Sequence, residues 1–377
     1  MRSLLVVLLL LAIIAGCTSS EPLKDISSEG AGWVMFQHDL AHSGVAQEEV
    51  APPLKLLWQA GTQAQIGYSS PVVADNLVLI GSTDWNLYAF DAATGKVVWK
   101  FPTGGEVHST PAVAEGKVYI GSYDGSLYAL DLATGKKLWR YKTKGEILTS
   151  PAVAGGIVYF GSFDGSIIAL NAENGKKLWE KKTKGQVHSS PAVANGKVFT
   201  TSYHEYRVYA LDAKTGKTLW SYETRGFIHA SPAVYNGRVY IPSKDSFLYC
   251  LDADSGSELW RFETGAPIDS TPAIAKGMVY FGSYDGYVYA VDAETGEEVW
   301  KTEIGAQFIG SPIVSGDVVY IGALDGKLYA LSAESGEILW NYRIGNMIYS
   351  SPAVAKGLVF VSSLDGILYA FAPESEK

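Results

Sequence analysis

Cysteine is almost missing from this chain. Two occur in 377 residues, Cys17 and Cys250, too few for a disulfide framework, a zinc site or an iron–sulfur cluster once one of them has a separate role. There is no adjacent Cys-Cys pair and no C-x-x-C-H haem-attachment sequence. Cys250 stands where equivalent segments carry Ala129, Ala210 and Ala290, a small slot that suits a packed hydrophobe. Positive charge is also short. Thirty Lys and Arg against 39 Asp and Glu leave a formal net charge of −9, which argues against nucleic acid as a partner. The apolar run at the start, Leu4 to Ile14, is too short to cross a bilayer comfortably.

Repetition is what the chain has in abundance. The segment TPAVAEGKVYIGSYDGSLYALDLATGKKLW, Thr110 to Trp139, returns with its proline at Pro71, Pro111, Pro151, Pro191, Pro232, Pro272, Pro312 and Pro352. Its closing tryptophan returns at Trp99, Trp139, Trp179, Trp220, Trp260, Trp300 and Trp340. The step is 40 residues, broken once by 41, and a period of this size marks units that cannot bury their apolar faces alone. Ser precedes most of the prolines, with Thr110 and Thr271 as exceptions.

Within a unit, Lys117 to Ser122 and Leu127 to Asp131 are strand-like and meet at Asp124-Gly125, a strong hairpin signal. Both faces of these strands are apolar, so each sheet is covered on both sides. Proline cannot donate to a ladder, which places the opening strand on one sheet edge. The charged last strand, Lys137 to Thr143, belongs on the other edge. Four short strands in about 40 residues make one propeller blade with the proline strand at the axis.

The chain also indicates how the ring closes. The eighth unit stops at Ala370-Phe371-Ala372-Pro373 without its Trp strand, and LKLLWQAGT from Leu54, with Trp58 in the Trp slot, supplies the missing piece. The expected fold is all-β: an eight-bladed β-propeller of four-stranded antiparallel blades, its last blade completed by an N-terminal strand. The expected divisions are a leader over 1–17, a Ser-, Glu- and Gly-rich tether over 18–32, a strap over 33–53 and the propeller over 54–372.

Two resemblances add to this reading. Ile14-Ala15-Gly16-Cys17 after a short apolar run resembles the lipobox of secreted lipoproteins, which implies lipidation of Cys17 and attachment to a membrane. Thr18 rather than Asp after the Cys implies the outer membrane in a cell that has two, and the outer face of the cytoplasmic membrane otherwise. AFDAATGKVVW from Ala89 and ALDLATGKKLW from Ala129 resemble the Ala-x-Asp-x-x-x-Gly-x-x-x-Trp repeat of the pyrroloquinoline quinone (PQQ) propellers, weakening where Asn171 and Ser332 replace the Asp. WVMFQHDLAHSG, Trp33 to Gly44, resembles the strap of the same propellers. Its His38 and His42 read as packed strap residues, with metal ligation as the other option.

Two branches of that superfamily are relevant. In quinoprotein dehydrogenases the resemblance implies a quinone covered by an adjacent Cys-Cys disulfide and a Glu-Asn-Asp calcium site. This chain has neither the Cys-Cys pair nor the long insertions that would roof such a site. The other branch, lipoproteins of the BamB type that serve outer-membrane barrel assembly, matches in length, lipobox and blade number, although the connectors here are short. The resulting expectation is a non-enzymatic, extracytoplasmic scaffold or recognition module. It would need no cofactor and would have a protein partner in the cell envelope. A PQQ-dependent dehydrogenase is the alternative.

Binding is expected on the face that carries the inter-blade loops and the Asp-Gly hairpins. Three residues before each proline stand Tyr68, His108, Leu148, His188, His229, Asp269, Ile309 and Tyr349, a ring around the axis. The regular hairpins give way to Asp84-Trp85-Asn86, to Tyr203-His204-Glu205-Tyr206-Arg207 and to Lys244-Asp245-Ser246-Phe247. Departures from a chain's own pattern mark candidate sites. The face residues singled out are Trp85, Tyr203, His204, Tyr206 and Arg207 on the hairpins, with Tyr68, His108, His188, His229, Asp269 and Tyr349 around the axis. His188, His229 and Asp269 lie at one height on three successive blades, where a shared metal competes with free polar residues around a wet channel. A lysine-rich sector on the outer strands of the second and third blades reads chiefly as edge protection.

Overall fold

The computed structural model describes residues 32–374. The leader, the Cys17 lipidation and nearly all of the tether lie outside the described residues. Eight four-stranded antiparallel sheets follow one another along the chain, here called blades 1 to 8 from the one that begins after Pro71. Blade 2 has strands Ala112–Ala114, Lys117–Ser122, Ser126–Asp131 and Lys137–Lys142. The inner strand is only three residues long and starts after its proline, so the missing N–H costs no ladder bond. Val118, Tyr119, Ile120, Leu127, Tyr128, Ala129 and Leu130 are all buried, as a strand covered on both faces requires. The outer strand alternates instead, its lysines exposed.

The seam lies where the repeat count placed it. Leu54–Gly61 pairs antiparallel with Ile367–Pro373, from Leu54 opposite Pro373 to Gly61 opposite Ile367, with a bulge between Leu56 and Trp58. Blade 8 is therefore built from both ends of the described chain.

The repeat motif proves to be the joint between blades. Every outer-strand tryptophan but Trp340 lays its ring on the glycine of the next blade's turn; a Cβ added at Gly135 would sit 2.7 Å from the Trp99 ring. Six of these indole N–H groups donate to a backbone carbonyl beside that turn, among them Trp58 to Ala92 at 3.0 Å, Trp99 to Leu132 at 3.0 Å and Trp179 to Ala213 at 2.9 Å, while that of Trp260 is buried without a partner among the described residues. The glycine has φ near +70°, as at Gly135 (68°), where a side chain is strained. The motif aspartate shapes the turn, Asp131 Oδ1 accepting the Thr134 N–H at 2.9 Å. Asn171 and Ser332, which weaken the sequence pattern, accept the same bonds from Asn174 and Ser335.

A second circular device sits at the axis. The residue before each proline passes its N–H to the hydroxyl of its counterpart one blade on: Ser70 to Thr110, Thr110 to Ser150, Ser150 to Ser190, Ser190 to Ser231. The chain of bonds continues through Thr271, Ser311 and Ser351 and returns to Ser70, each link between 2.9 and 3.2 Å. Ser or Thr at this position is therefore an acceptor that buried backbone N–H groups require.

The strap does more than lie on the ring. Backbone carbonyls of Trp33, Val34, Leu40, Ala41, Ser43 and Gly44 accept N–H bonds from Val73, Val113, Val193, Val234, Ile274 and Val314, the middle residues of six inner strands. These edges would otherwise be unpaired, so the strap closes the axis. Trp33, Met35 and Leu40 are buried in it. Asp39 folds it by accepting the N–H groups of Ala41 (2.9 Å) and Ser43 (3.0 Å). His42 Nδ1 donates to Pro232 O at 2.8 Å. The side chains of Gln37 and His38 are buried and make no hydrogen bond among the described residues, so local satisfaction of the strap's polar groups is only partial.

Candidate functional site

The loops entering the inner strands and the hairpins between second and third strands are locked into one face. The hairpin acid does this with its two oxygens. In blade 2, Asp124 Oδ1 accepts the Ser126 N–H at 2.8 Å while Oδ2 takes the Gly104 N–H from the preceding connector at 3.1 Å and the Tyr128 hydroxyl. The irregular hairpins keep this acid. Glu205, one residue late, takes the Lys184 N–H at 3.1 Å and the Tyr209 hydroxyl; Asp84 and Asp245 take the N–H groups of Gln63 and Arg225. Blades 1, 4 and 5 thus retain the structural half of the hairpin and alter the exposed half.

The alteration carries a backbone cost. Gly125, Gly165, Gly286, Gly326 and Gly366 have φ from 74° to 90°, and in the same slot stand Trp85 (71°), Tyr206 (54°) and Ser246 (72°). A side chain there costs roughly 1–2 kcal/mol, against roughly 0.5–1 kcal/mol for glycine's greater unfolded-state freedom. Trp85 is 55% exposed and returns little burial for that strain. Trp85→Gly should therefore raise stability by about 0.5–1 kcal/mol in chemical denaturation; a loss of that size would mean that Trp85 packs as a structural residue.

Inside the hairpins lies a small, half-open funnel of about 80 Å³. Its wall is the ring Tyr68, His108, Leu148, His188, His229, Asp269, Ile309 and Tyr349, and its floor is the Ser/Thr circle with Phe36 of the strap. Tyr68 leans across the mouth, 5.8 Å from the His108 ring, 5.5 Å from Tyr349 and 5.7 Å from His229 on the far side. Phe163, His188, Tyr203 and Phe227 form a continuous stack with centroids 4.4, 4.4 and 4.7 Å apart and planes within 23°. Tyr206 meets the end of that stack edge-on. His204 is exposed and also edge-on to Tyr203, while Arg207 turns to Glu223 on the outer strand.

Sequence reasoning passed over Tyr123, Phe163, Tyr284 and Phe227, and named Lys244 only as part of an irregular hairpin. Tyr123, Phe163, Lys244 and Tyr284 share a signal: each immediately precedes its hairpin Asp, in the frames GSYDG, GSFDG, PSKDS and GSYDG. Tyr123 backs His108 at 4.6 Å. Lys244 and Tyr284 hold Asp269, the Nζ at 3.0 Å and the hydroxyl at 2.6 Å from Oδ2. Asp269 Oδ1 is buried and has no partner among the described residues.

The funnel is close to neutral. Burial, followed by the charges of His229, His204 and Lys244, pushes the His188 imidazole down to about 3, and burial lowers His229 as well. Both are uncharged at neutral pH, and Lys244 balances Asp269. His188 Nε2 faces Gln186 Oε1 at 3.0 Å and so carries the proton, leaving Nδ1 as a lone pair that is buried and unpartnered. Burial, then the nearby Tyr349 and Asp269, raises the Tyr68 phenol above its ordinary value. The His188 and His229 rings are 5.5 Å apart, yet among the described residues no three His, Cys, Asp or Glu are placed to hold a metal ion. This donor set can hold a ligand; it assembles no activated nucleophile.

A family model described as outer membrane protein assembly factor BamB matches residues 51–162 and 144–227, and one described as the β-propeller of beta-alanine-activating enzyme matches 202–377. The chain is a PQQ-like β-propeller resembling BamB. No curated protein sequence matches it significantly. Among solved structures, BamB from Moraxella catarrhalis is 20% identical with a TM-score of 0.74, covering 86% of this chain and 99% of that one. Quinohemoprotein alcohol dehydrogenase from Comamonas testosteroni is 18% identical with a TM-score of 0.79, covering 92% and 82%. A europium-containing methanol dehydrogenase is 15% identical with a TM-score of 0.78, covering 92% and 99%. At these identities the likenesses establish the fold alone. The funnel of this PQQ-like propeller does not fit the quinone itself: PQQ is a tricarboxylate, and it would meet the buried Asp269, two neutral histidines and one ammonium already paired at 3.0 Å.

Proposed function

We propose that this propeller is a non-enzymatic recognition module of the cell envelope, BamB-like in kind, that binds a protein partner through its hairpin face. The observation that carries this reading is the use of strained, left-handed backbone positions to present Trp85 and Tyr206 where other blades have glycine. Outliers of this sort collect at functional positions, and Trp, Tyr and Arg, here an exposed Trp85 and a half-exposed Tyr206 and Arg207, are common anchors of protein interfaces. The rest of the face supports it, because the strap bonds to six inner strands and covers the axis behind the funnel. A lipid on Cys17 would hold the module at the outer face of the cytoplasmic membrane, or at the outer membrane where there is one, with the tether spanning the gap.

The test is capture of partners from solubilised membranes by the full chain and by a Trp85→Gly, Tyr206→Gly, Arg207→Ala variant. A protein retained by the parent and lost by the variant, with melting unchanged or raised, is the expected result. Equal capture by both would remove this face from the interface. Cys17→Ser should move the protein from the membrane to the soluble fraction. Addition of PQQ and calcium should produce no dye reduction with alcohols; turnover would favour the dehydrogenase alternative.

A further inference from the structure

The funnel wall and the hairpin rim are chemically different, and the wall makes demands that a protein partner on the rim does not meet. Asp269 is 7% exposed; its Oδ2 is saturated by Lys244 and Tyr284, and its Oδ1 has no donor. His188 Nδ1 is a second buried acceptor without a donor. Below them each hydroxyl of the Ser/Thr circle accepts an N–H, as Ser231 does from Ser190, and no described residue accepts its own proton. With His108 Nδ1, also buried and unpartnered, three orphan atoms of the wall therefore stand above a circle of spare donors, and buried polar atoms left in this state are costly unless something completes them. Tyr68 and Tyr349 supply the apolar faces between them.

We infer that the funnel is a binding site for a single neutral, polyhydroxylated ring, that is, a monosaccharide or the terminal sugar of a glycan. A pyranose presents hydroxyls that both donate and accept on its edge and C–H groups on its face. The edge suits Asp269 Oδ1, His188 Nδ1 and the hydroxyl circle, and the face suits Tyr68. The charge balance selects against other small ligands: a cation would meet Lys244 beside Asp269, and an anion would meet Asp269. A bare metal would need ligands closer together than the described residues provide. The inference goes beyond partner binding on the rim and does not depend on it.

The experiment is saturation-transfer NMR and calorimetric titration of the full chain with the methyl glycosides of glucose, galactose, mannose and N-acetylglucosamine. Maltotriose and n-butylammonium are run alongside. Binding of at least one glycoside at about 1 mM is expected, a reasonable affinity for a ligand of roughly a dozen heavy atoms. Asp269→Asn should weaken it about tenfold or more by placing a donor where the sugar needs an acceptor. Tyr68→Ala, at a residue 36% exposed and safe to truncate, should do the same through loss of the stacking face. Tighter binding of maltotriose than of the glucoside would assign the site to the end of a glycan, and equal or weaker binding to the free sugar. No transfer to any sugar, affinity unchanged in both variants, or binding of butylammonium alone would overturn the inference. Asp269→Asn should leave protein capture intact, and the Trp85, Tyr206, Arg207 variant should leave sugar binding intact, so each reading can fail separately.

Discussion

Replacing Trp58 by Ala should cost about 3 kcal/mol, near the lower end of Trp truncations, and should loosen the whole ring rather than one blade. Trp58 is half-buried, packs 5.9 Å from Phe360 and donates its indole N–H to Ala92 at 3.0 Å. Its ring also lies against Gly95, where an added Cβ would come within 2.6 Å. It therefore joins blade 8 to blade 1 from the strand that itself closes blade 8. In an array of units that contact only their neighbours, losing one joint turns a closed ring into an open one with two exposed ends. Trp340 is the instructive comparison. It packs on Phe371 and Tyr342 at 5.8 and 5.9 Å and has no indole hydrogen bond among the described residues, because blade 8 ends at the seam without the usual turn. Trp340→Ala should cost distinctly less. Urea unfolding of both variants followed by tryptophan fluorescence makes the comparison, and equal midpoints for Trp58→Ala and the parent would contradict the closure described here.

The seam, the blade number and the blade joints were legible because a repeat states the same physical requirement eight times. Pro111 and its counterparts exclude a central strand, Asp124-Gly125 fixes a hairpin, and the missing Trp after Phe371 can be matched to Trp58 by subtraction alone. The funnel was legible only as a list of positions. Counting three residues back from each proline finds Tyr68 and His229, but it cannot show that Tyr68 crosses the axis to within 5.7 Å of a blade four places away. Repeat logic speaks of neighbours, and side-chain direction at the mouth depends on the strap that fills the centre.

The strap itself resisted reading for a different reason. It has no repeat, and Gln37, His38, His42 and Gly44 all adopt positive φ, a path that three non-glycine residues do not advertise. The irregular hairpins misled in a useful way. They looked like wholesale departures, yet Glu205 and Asp245 still perform the latch of Asp124, so only the residues outside that latch are free to serve recognition. Ser or Thr before proline was visible as a pattern, and its meaning as a closed circle of hydrogen bonds appears only when all eight are seen together.

Acid should weaken this propeller well above the pH at which its carboxylates titrate, and His42 should account for much of the effect. Burial pushes the His42 imidazole down to about 4, only partly offset by its bond to Pro232 and by the charge of Asp39. The unfolded chain takes up a proton at this residue near the ordinary value of about 6.5, and the folded chain does not until about 4. Between those values the unfolded state binds more protons, so stability falls as pH falls and levels off once the folded form is also protonated. The difference is on the order of 3 kcal/mol for a fully buried imidazole. His188 and His229 act in the same direction. Asp39 does not mask the effect: burial alone would raise its carboxyl, but the neighbouring His38 imidazole, 3.8 Å away, and bonds from Ser43 hold it below the usual carboxylate value, so its own contribution is lost only in stronger acid. His42→Gln keeps a donor for Pro232 O and cannot titrate. Urea unfolding at intervals from pH 7 to pH 4 should show a clearly shallower loss for this variant than for the parent. Parallel curves would mean that His42 is protonated in the folded protein, and that the strap seals the axis less tightly than its bonds to six blades imply.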